Sequence, residues 1–309
     1  MLSDLLHLQH GMLSRAQALA AGMTSDKIEA ELAAGRWRRV MPGVYATFSG
    51  PLPRRSQLWA AVLRAGEGAV LSHETAAELV GLVEPGEPIH VTVPERRTPG
   101  RIPGVVIHRC VWLAKRRHPT RTPPQTRVED TIVDLTQSSR NATEAIGWLA
   151  RAVSSRVTTA ERLADAMRER AKLRLRRTLL SALRDIGDGS HSVAELAYLR
   201  AVERAHALPR SERQARRETG PTRYDDVRYR RFATRVELDG RAAHPDHERW
   251  RDMDRDNDVV VTGDRVLRFG LADLDTRPCQ IAAKVVAVLR LGGWTGQART
   301  CTRPGCRVA

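Results

Sequence analysis

The chain has 309 residues, 41% hydrophobic and 28% charged, and 51 Lys and Arg against 36 Asp and Glu leave a formal net charge of +15. That length supports two or three domains with real cores, and the charge points to a polyanion, DNA or RNA, since Lys and Arg contacts to phosphate release counterions; a generally arginine-rich composition is the other source of the excess. No apolar run approaches the ~20 residues of a membrane-spanning helix, MLSDLLHLQHG is too short and polar for a signal peptide, and four cysteines make no disulfide framework. The expectation is a cytoplasmic protein with no membrane partner.

Residues 1–50 read as a helix-turn-helix with a wing. A helix is expected over about Leu2 to Gln9, Ser14 caps a second over Arg15 to Ala21, Gly22 turns the chain, and a third runs from Ser25 or Asp26 to Ala34 with Ile28 and Leu32 inward. Trp37 to Thr47 alternates around Pro42 and Gly43 and reads as a hairpin. In the winged-helix plan the second helix of the pair enters the major groove and the wing touches backbone. Lys27, Arg36, Arg38 and Arg39 are the candidate phosphate contacts. A small helical cap for protein contacts is the competing reading.

Residues 51–135 contain two helices around Gly66 and Gly68 and then two β runs, IHVTVP and GVVIHR. His73 precedes a helix and His90 lies in a strand, where histidines usually serve a helix start or the core. Arg96, Arg97, Arg101, Arg109, Lys115, Arg116, Arg117 and Arg121 make one edge basic; a solvated face is the ordinary reading, and an extended DNA track is the functional one. With the wing, the runs LSHETAAELVGL and IHVTVP resemble the AbiEi-type antitoxin family. That resemblance implies an N-terminal winged helix and a protein able to repress its own operon.

Residues 136–188 read as a helical connector, continuous from Thr143 to Leu183, with Leu163, Met167 and Leu175 as an apolar stripe. Asp185 to Ser190 (DIGDGS) reads as the domain boundary.

In residues 189–295, Ser192 caps a helix with Glu195 as its capping-box partner. TRYDDVRY and RVELD are strand-like and close enough to pair as a hairpin across Arg230 and Arg231. That pairing would set Asp226 beside Glu237. Gly240 allows a tight turn, and His244 and His247 follow. Acids two apart on one strand, Glu237 and Asp239, with a histidine a few positions on, suit an oxygen-ligated Mg²⁺ or Mn²⁺ better than zinc. The bland alternative is a solvated hairpin whose Asp239-Gly240 is only a turn.

From about Ser190 to Leu291 these residues, with RDMDRD and VLRFG, resemble the very-short-patch-repair (Vsr)-like endonuclease domain of the PD-(D/E)XK superfamily. The resemblance implies a mixed sheet flanked by helices that cuts or binds DNA. It places Asp226 and Glu237 as metal ligands, Glu195 in support, His244 as base or phosphate contact, and Arg255 with Asp256 as a helical pair facing the site. Asp239 stands where the superfamily pattern has a lysine, which bears on cleavage more than on fold. In residues 296–309, Cys301 and Cys306 are spaced widely for a zinc knuckle and lack two further clustered ligands, so they read as tail cysteines without a role.

The expected fold class is α/β multidomain: a winged helix, an α+β middle region, a helical connector, and a C-terminal restriction-endonuclease-like fold. The expected function is DNA binding with phosphodiester hydrolysis by Asp226, Glu237, His244, Glu195 and Asp239, using Mg²⁺ or Mn²⁺. The alternative is a non-enzymatic antitoxin-like regulator with a degenerate nuclease domain and a cognate toxin partner.

Overall fold

The computed structural model describes residues 2–187, 192–216, 224–239 and 263–308. It is a mixed α/β chain that divides into two compact units, Met1–Ser138 and Ser139–Ala309.

The first unit opens with α1 (Leu2–Leu8), β1 (Met12–Ser14), α2 (Arg15–Ala20) and α3 (Ser25–Ala33). Ser14 starts α2 through a reciprocal capping box: its hydroxyl accepts from Gln17 N at 3.2 Å, and Gln17 Oε1 accepts from Ser14 N at 3.0 Å. Gly22, at φ +86°, makes the turn, and Thr24 caps α3 by accepting from Lys27 N. The hairpin follows as β2 (Arg38–Met41) and β3 (Val44–Ala46). Sequence reading missed β1, a three-residue strand too short for any periodicity. It pairs with β3 and puts β3 at the centre of a sheet ordered β1-β3-β2.

Strand alternation decides what each face of that sheet covers. Leu13 and Tyr45 pack with Ala18 and Ile28 of the helices. Met12, Val44 and Ala46 point the other way, onto Trp59 and Ala60 of α4 (Arg54–Ala65). The opposite side of α4, with Leu58, Ala61 and Val62, lies on a second sheet. That sheet comprises β4 (Val70–Leu71), β5 (Ile89–Pro94) and β6 (Val105–Cys110), with β5 and β6 parallel. Helix α4 is therefore buried on two sides. Helix α5 (His73–Glu78) lies between β4 and β5, and α6 (Leu113–Arg116) and α7 (Val128–Ser138) follow β6.

In the second unit, the stretch expected as one continuous connector is three helices, α8 (Ala142–Ser154), α9 (Ala160–Arg168) and α10 (Arg176–Gly187). Asn141 and Thr159 cap α8 and α9. Leu175, expected in the apolar stripe, instead takes φ +59° ahead of α10. Asp185, expected in a polar boundary, is 4% exposed within α10. Helix α11 (Val193–Tyr198) follows and widens into a π-type turn over Leu199–Arg204.

Four strands then form a sheet ordered β10-β9-β8-β7: β7 (Glu212–Arg216), β8 (Tyr224–Tyr229), β9 (Thr234–Asp239) and β10 (Arg265–Gly270). β9 and β10 are parallel and the other pairs antiparallel. Helices α12 (Leu271–Thr276) and α13 (Pro278–Leu291) complete the unit. Val227, Val236, Leu238 and Phe269 of the sheet share one core with Tyr198 and Val202 and with Ile281, Val285 and Leu289 of α13. The segment expected as a tail joins that core through Ala298, Cys306 and the buried Val308, next to Trp294.

Burial demands partners for the polar groups around this core. Tyr198 and Tyr229 meet hydroxyl to hydroxyl at 3.0 Å, and Glu203 accepts from Ser211 and Arg213. Asp185 accepts from Arg200 Nε at 2.9 Å and Arg204 Nη1 at 2.7 Å. Asp185→Ala removes the carboxylate partner of the mostly buried Arg200 guanidinium, leaving it the long bonds to Thr178 O at 3.3 and 3.4 Å, and is expected to lower unfolding free energy by about 3 kcal/mol. Arg204→Ala, at an exposed guanidinium, should cost well under half of that; urea titration of both variants checks the ranking.

Candidate functional site

The hairpin expected from TRYDDVRY and RVELD forms: β8 and β9 are antiparallel, joined through a single 3₁₀ turn at Arg230–Phe232. The register pairs Val227 with Val236 and Arg228 with Arg235. One residue beyond the Val227–Val236 pair, Asp226 and Glu237 occupy adjacent positions on the two strands. Asp226 Oδ2 accepts from Leu238 N at 2.8 Å, tying the carboxylate to the main chain of β9. Glu237 Oε2 accepts from Arg268 Nε of β10 at 2.9 Å.

Glu195 is 1% exposed on α11. Ser192 caps that helix as expected, its hydroxyl accepting from Glu195 N at 3.1 Å. The Glu195 carboxylate accepts from Gln214 Nε2 of β7 at 2.7 Å, an acceptor seated against the sheet. Around these acids runs an arginine-carboxylate lattice. Arg228 and Arg235 both contact Asp225 and Asp264, with Arg235 Nε to Asp264 Oδ2 at 2.6 Å. Asp239 closes β9. His244, Arg255 and Asp256 lie outside the described residues.

Two carboxylates on neighbouring strands are a donor set for a hard divalent cation. Each described acid nonetheless has a protein partner already. Among the described residues, Asp226, Glu237 and Glu195 do not form a group whose ligand atoms all lie within 4.8 Å of one another. Two other sets do: His73, His90 and His108, and His206, Cys279, Cys301 and Cys306. Sequence reading took His73 and His90 singly and the tail cysteines as lacking partners. No spacing signal links His206, Cys279 and Cys301, because the fold alone brings them together.

The histidine trio is a stack. The His73 and His108 rings lie 3.7 Å apart and 16° from parallel, and His90 Nδ1 bonds His108 Nε2 at 3.0 Å. Nearly parallel rings aim their nitrogen lone pairs along different lines, which suits mutual hydrogen bonding better than chelation. Ser72 and Thr92 extend the network, Ser72 Oγ contacting His73 Nδ1 and Thr92 Oγ1.

Of the expected phosphate contacts, Lys27 on α3, Arg36 in the connection after it, and Arg38 and Arg39 on β2 are all exposed. Arg36 forms a two-point ion pair with Glu31, at 2.7 and 3.0 Å, and Arg39 approaches Glu29 at 3.6 Å. Arg96 is exposed. Arg97 has a structural task, donating from Nε to Ala65 O at the end of α4 while its guanidinium lies where a Cβ on Gly66 would fall.

No family model matches the chain, and no curated protein matches it. Among solved structures it is similar to the RV2827C protein from Mycobacterium tuberculosis, with 19% identity and a TM-score of 0.38 over 61% of this chain and 75% of that one.

Burial, with the neighbouring His73 and His90, brings His108 down to about 4 from the usual 6.5, against a weaker opposite pull from Asp134. Burial lowers His90 as well, opposed by Glu74. The unfolded imidazole therefore takes a proton where the folded one does not. This contribution is full above the unfolded value and is lost as pH falls from about 6.5 toward about 4. With discount for partial exposure, stability of the first unit should drop by about 1–2 kcal/mol between about pH 7.5 and about pH 5. Denaturant unfolding of wild type and His108→Gln checks it; the variant should show a smaller drop.

Proposed function

We propose that the protein binds DNA through a winged helix in its first unit and that its second unit is a Vsr-like endonuclease module acting by metal-dependent phosphodiester hydrolysis. The observation that carries this reading is the placement of Asp226 and Glu237 side by side on neighbouring strands, among arginines, in a chain of net charge +15.

In this reading Asp226 and Glu237 hold Mg²⁺ or Mn²⁺, with Glu195 in support. When bound, the ion supplies a more acidic water and neutralises phosphoryl charge. Main-chain donation from Leu238 N to Asp226 fixes that carboxylate, and Glu237 turns from Arg268 toward the ion. Arg268, released from Glu237, then lies on the adjoining strand as a cation for phosphate. His244 is assigned as the base or phosphate contact and Arg255 as a further DNA contact, both from the resemblance. Lys27, Arg38 and Arg39 supply phosphate contacts from the first unit, with Arg36 and Arg96 as further cations; Arg97 is engaged at the end of α4.

A specific observation favours a second reading, an antitoxin-like regulator whose nuclease module only binds. Glu237 is held by Arg268, and Asp239 stands where the resemblance has a lysine. This reading also admits a cognate toxin as partner.

Plasmid nicking with Mg²⁺ or Mn²⁺ separates the two. Nicking abolished by Asp226→Ala and by Glu237→Ala, with DNA affinity kept, is the expected result. Salt-sensitive binding with no nicking in wild type establishes the regulator instead. In either case Lys27→Ala and Arg38→Ala should each weaken binding several-fold and reduce the slope of log affinity against log salt by about 0.9. An unchanged slope in both would remove the first unit from the DNA interface.

A further inference from the structure

His206, Cys279, Cys301 and Cys306 come from three separate stretches of the second unit. His206 follows the π-type turn after α11, Cys279 is in the first turn of α13, and the other two flank Thr302-Arg303-Pro304-Gly305. Their ligand atoms all lie within 4.8 Å of one another. Cys279 Sγ is 3.5 Å from Cys301 Sγ, and Cys306 Sγ is 3.5 Å from His206 Nε2.

We propose that these four side chains form a structural zinc site, Cys₃His, that fastens the C-terminal segment to the second unit. Tetrahedral bonds of about 2.3 Å to sulfur and about 2.0 Å to nitrogen put neighbouring sulfurs about 3.8 Å apart and sulfur about 3.5 Å from the imidazole nitrogen. The observed spacings match that geometry to a few tenths of an ångström. A disulfide needs about 2.05 Å between sulfurs, far short of the Cys279–Cys301 separation.

The surroundings suit the assignment. His206 is fully buried, and its Nδ1 lies 3.0 Å from Val202 O, which can only accept. The proton therefore sits on Nδ1, and the Nε2 lone pair faces the thiols; such an outer hydrogen bond is what fixes a zinc-ligating imidazole. Main-chain donors serve the sulfurs, Cys301 N to Cys306 Sγ at 3.4 Å and Arg303 N to Cys301 Sγ at 3.5 Å. Gly305, at φ +75°, turns the chain between the two cysteines. Three soft thiolates and an imidazole select zinc over magnesium or calcium. A complete four-ligand set leaves no position for a substrate, so the role is structural.

There is also something for the site to hold. Residues 295–308 carry no helix or strand, yet Val308 is 3% exposed and Arg299 N donates to His206 O at 3.0 Å. Zinc would hold the three cysteines as thiolates and close a cross-link between the stretch after the π-type turn, α13 and this segment.

The test is metal content of the full chain purified under reducing conditions, followed by Co²⁺ replacement. One zinc per chain, and a sulfur-to-cobalt charge-transfer band with tetrahedral d–d absorption, are expected. Cys301→Ser and Cys306→Ser should each reduce zinc retained after dialysis by about tenfold or more, while Cys110→Ser and His108→Gln keep it. Cobalt uptake by the wild type does not depend on any variant folding. Absence of the charge-transfer band, or zinc retention unchanged in both Ser variants, would overturn the proposal. So would a Cys279–Cys301 disulfide mapped in zinc-free, freshly purified protein.

Discussion

Arg228 and Arg235 face each other across β8 and β9, and the placement of Asp226 beside Glu237 stands on how that like-charge pair is tolerated. Two cations directly opposite on neighbouring strands repel. Here both sit within reach of Asp225 and Asp264, so two guanidiniums share two carboxylates and the cluster is neutral. A slip of one residue would turn every side chain of β9 to the other face. It would take Val236 and Leu238 out of the core and Arg235 away from its acids. Hydrophobic pattern and ion pairing therefore enforce one register, and that register sets the two carboxylates side by side.

The same solution recurs through the second unit. Asp185 holds Arg200 and Arg204, Glu203 holds Arg213, and Glu237 holds Arg268. Buried acids are costly unless paired, and removing one partner leaves the other charge stranded. Part of the arginine excess is thus internal and structural. The arginines available to a polyanion are fewer than the +15 suggests. Arg97, donating to the end of α4, makes the point in the first unit.

What could be read from sequence follows the range of the interactions involved. Ser14, Ser192 and the hairpin through Arg230 were legible because caps and short hairpins are decided within a few residues. The breaks among α8, α9 and α10 were not, since apolar residues kept helical spacing across them. Asp185 looked like boundary polarity because its partners lie beyond the next helix start. The carboxylate strands were visible as a pattern, but their present partners, Arg268 and Gln214, come from β10 and β7 and could not be counted. His206 and Cys279 were invisible as ligands for the same reason: only the folded sheet and α13 bring them to Cys301 and Cys306.

Taken together, the two proposed metal chemistries differ in kind. Carboxylate oxygens on the β8 and β9 strands are hard donors, and the thiolates at the start of α13 and in the C-terminal segment are soft ones. Magnesium gains little from thiolate, whereas zinc gains much, so ligand softness sorts the ions without any selectivity device in either site. The closed Cys₃His set would act through stability, by tying down a segment that lacks helix or strand. In the proposed reading the carboxylate pair would act as Glu237 turns from Arg268 toward the ion, an exchange that would couple ion binding to the release of a cation toward phosphate.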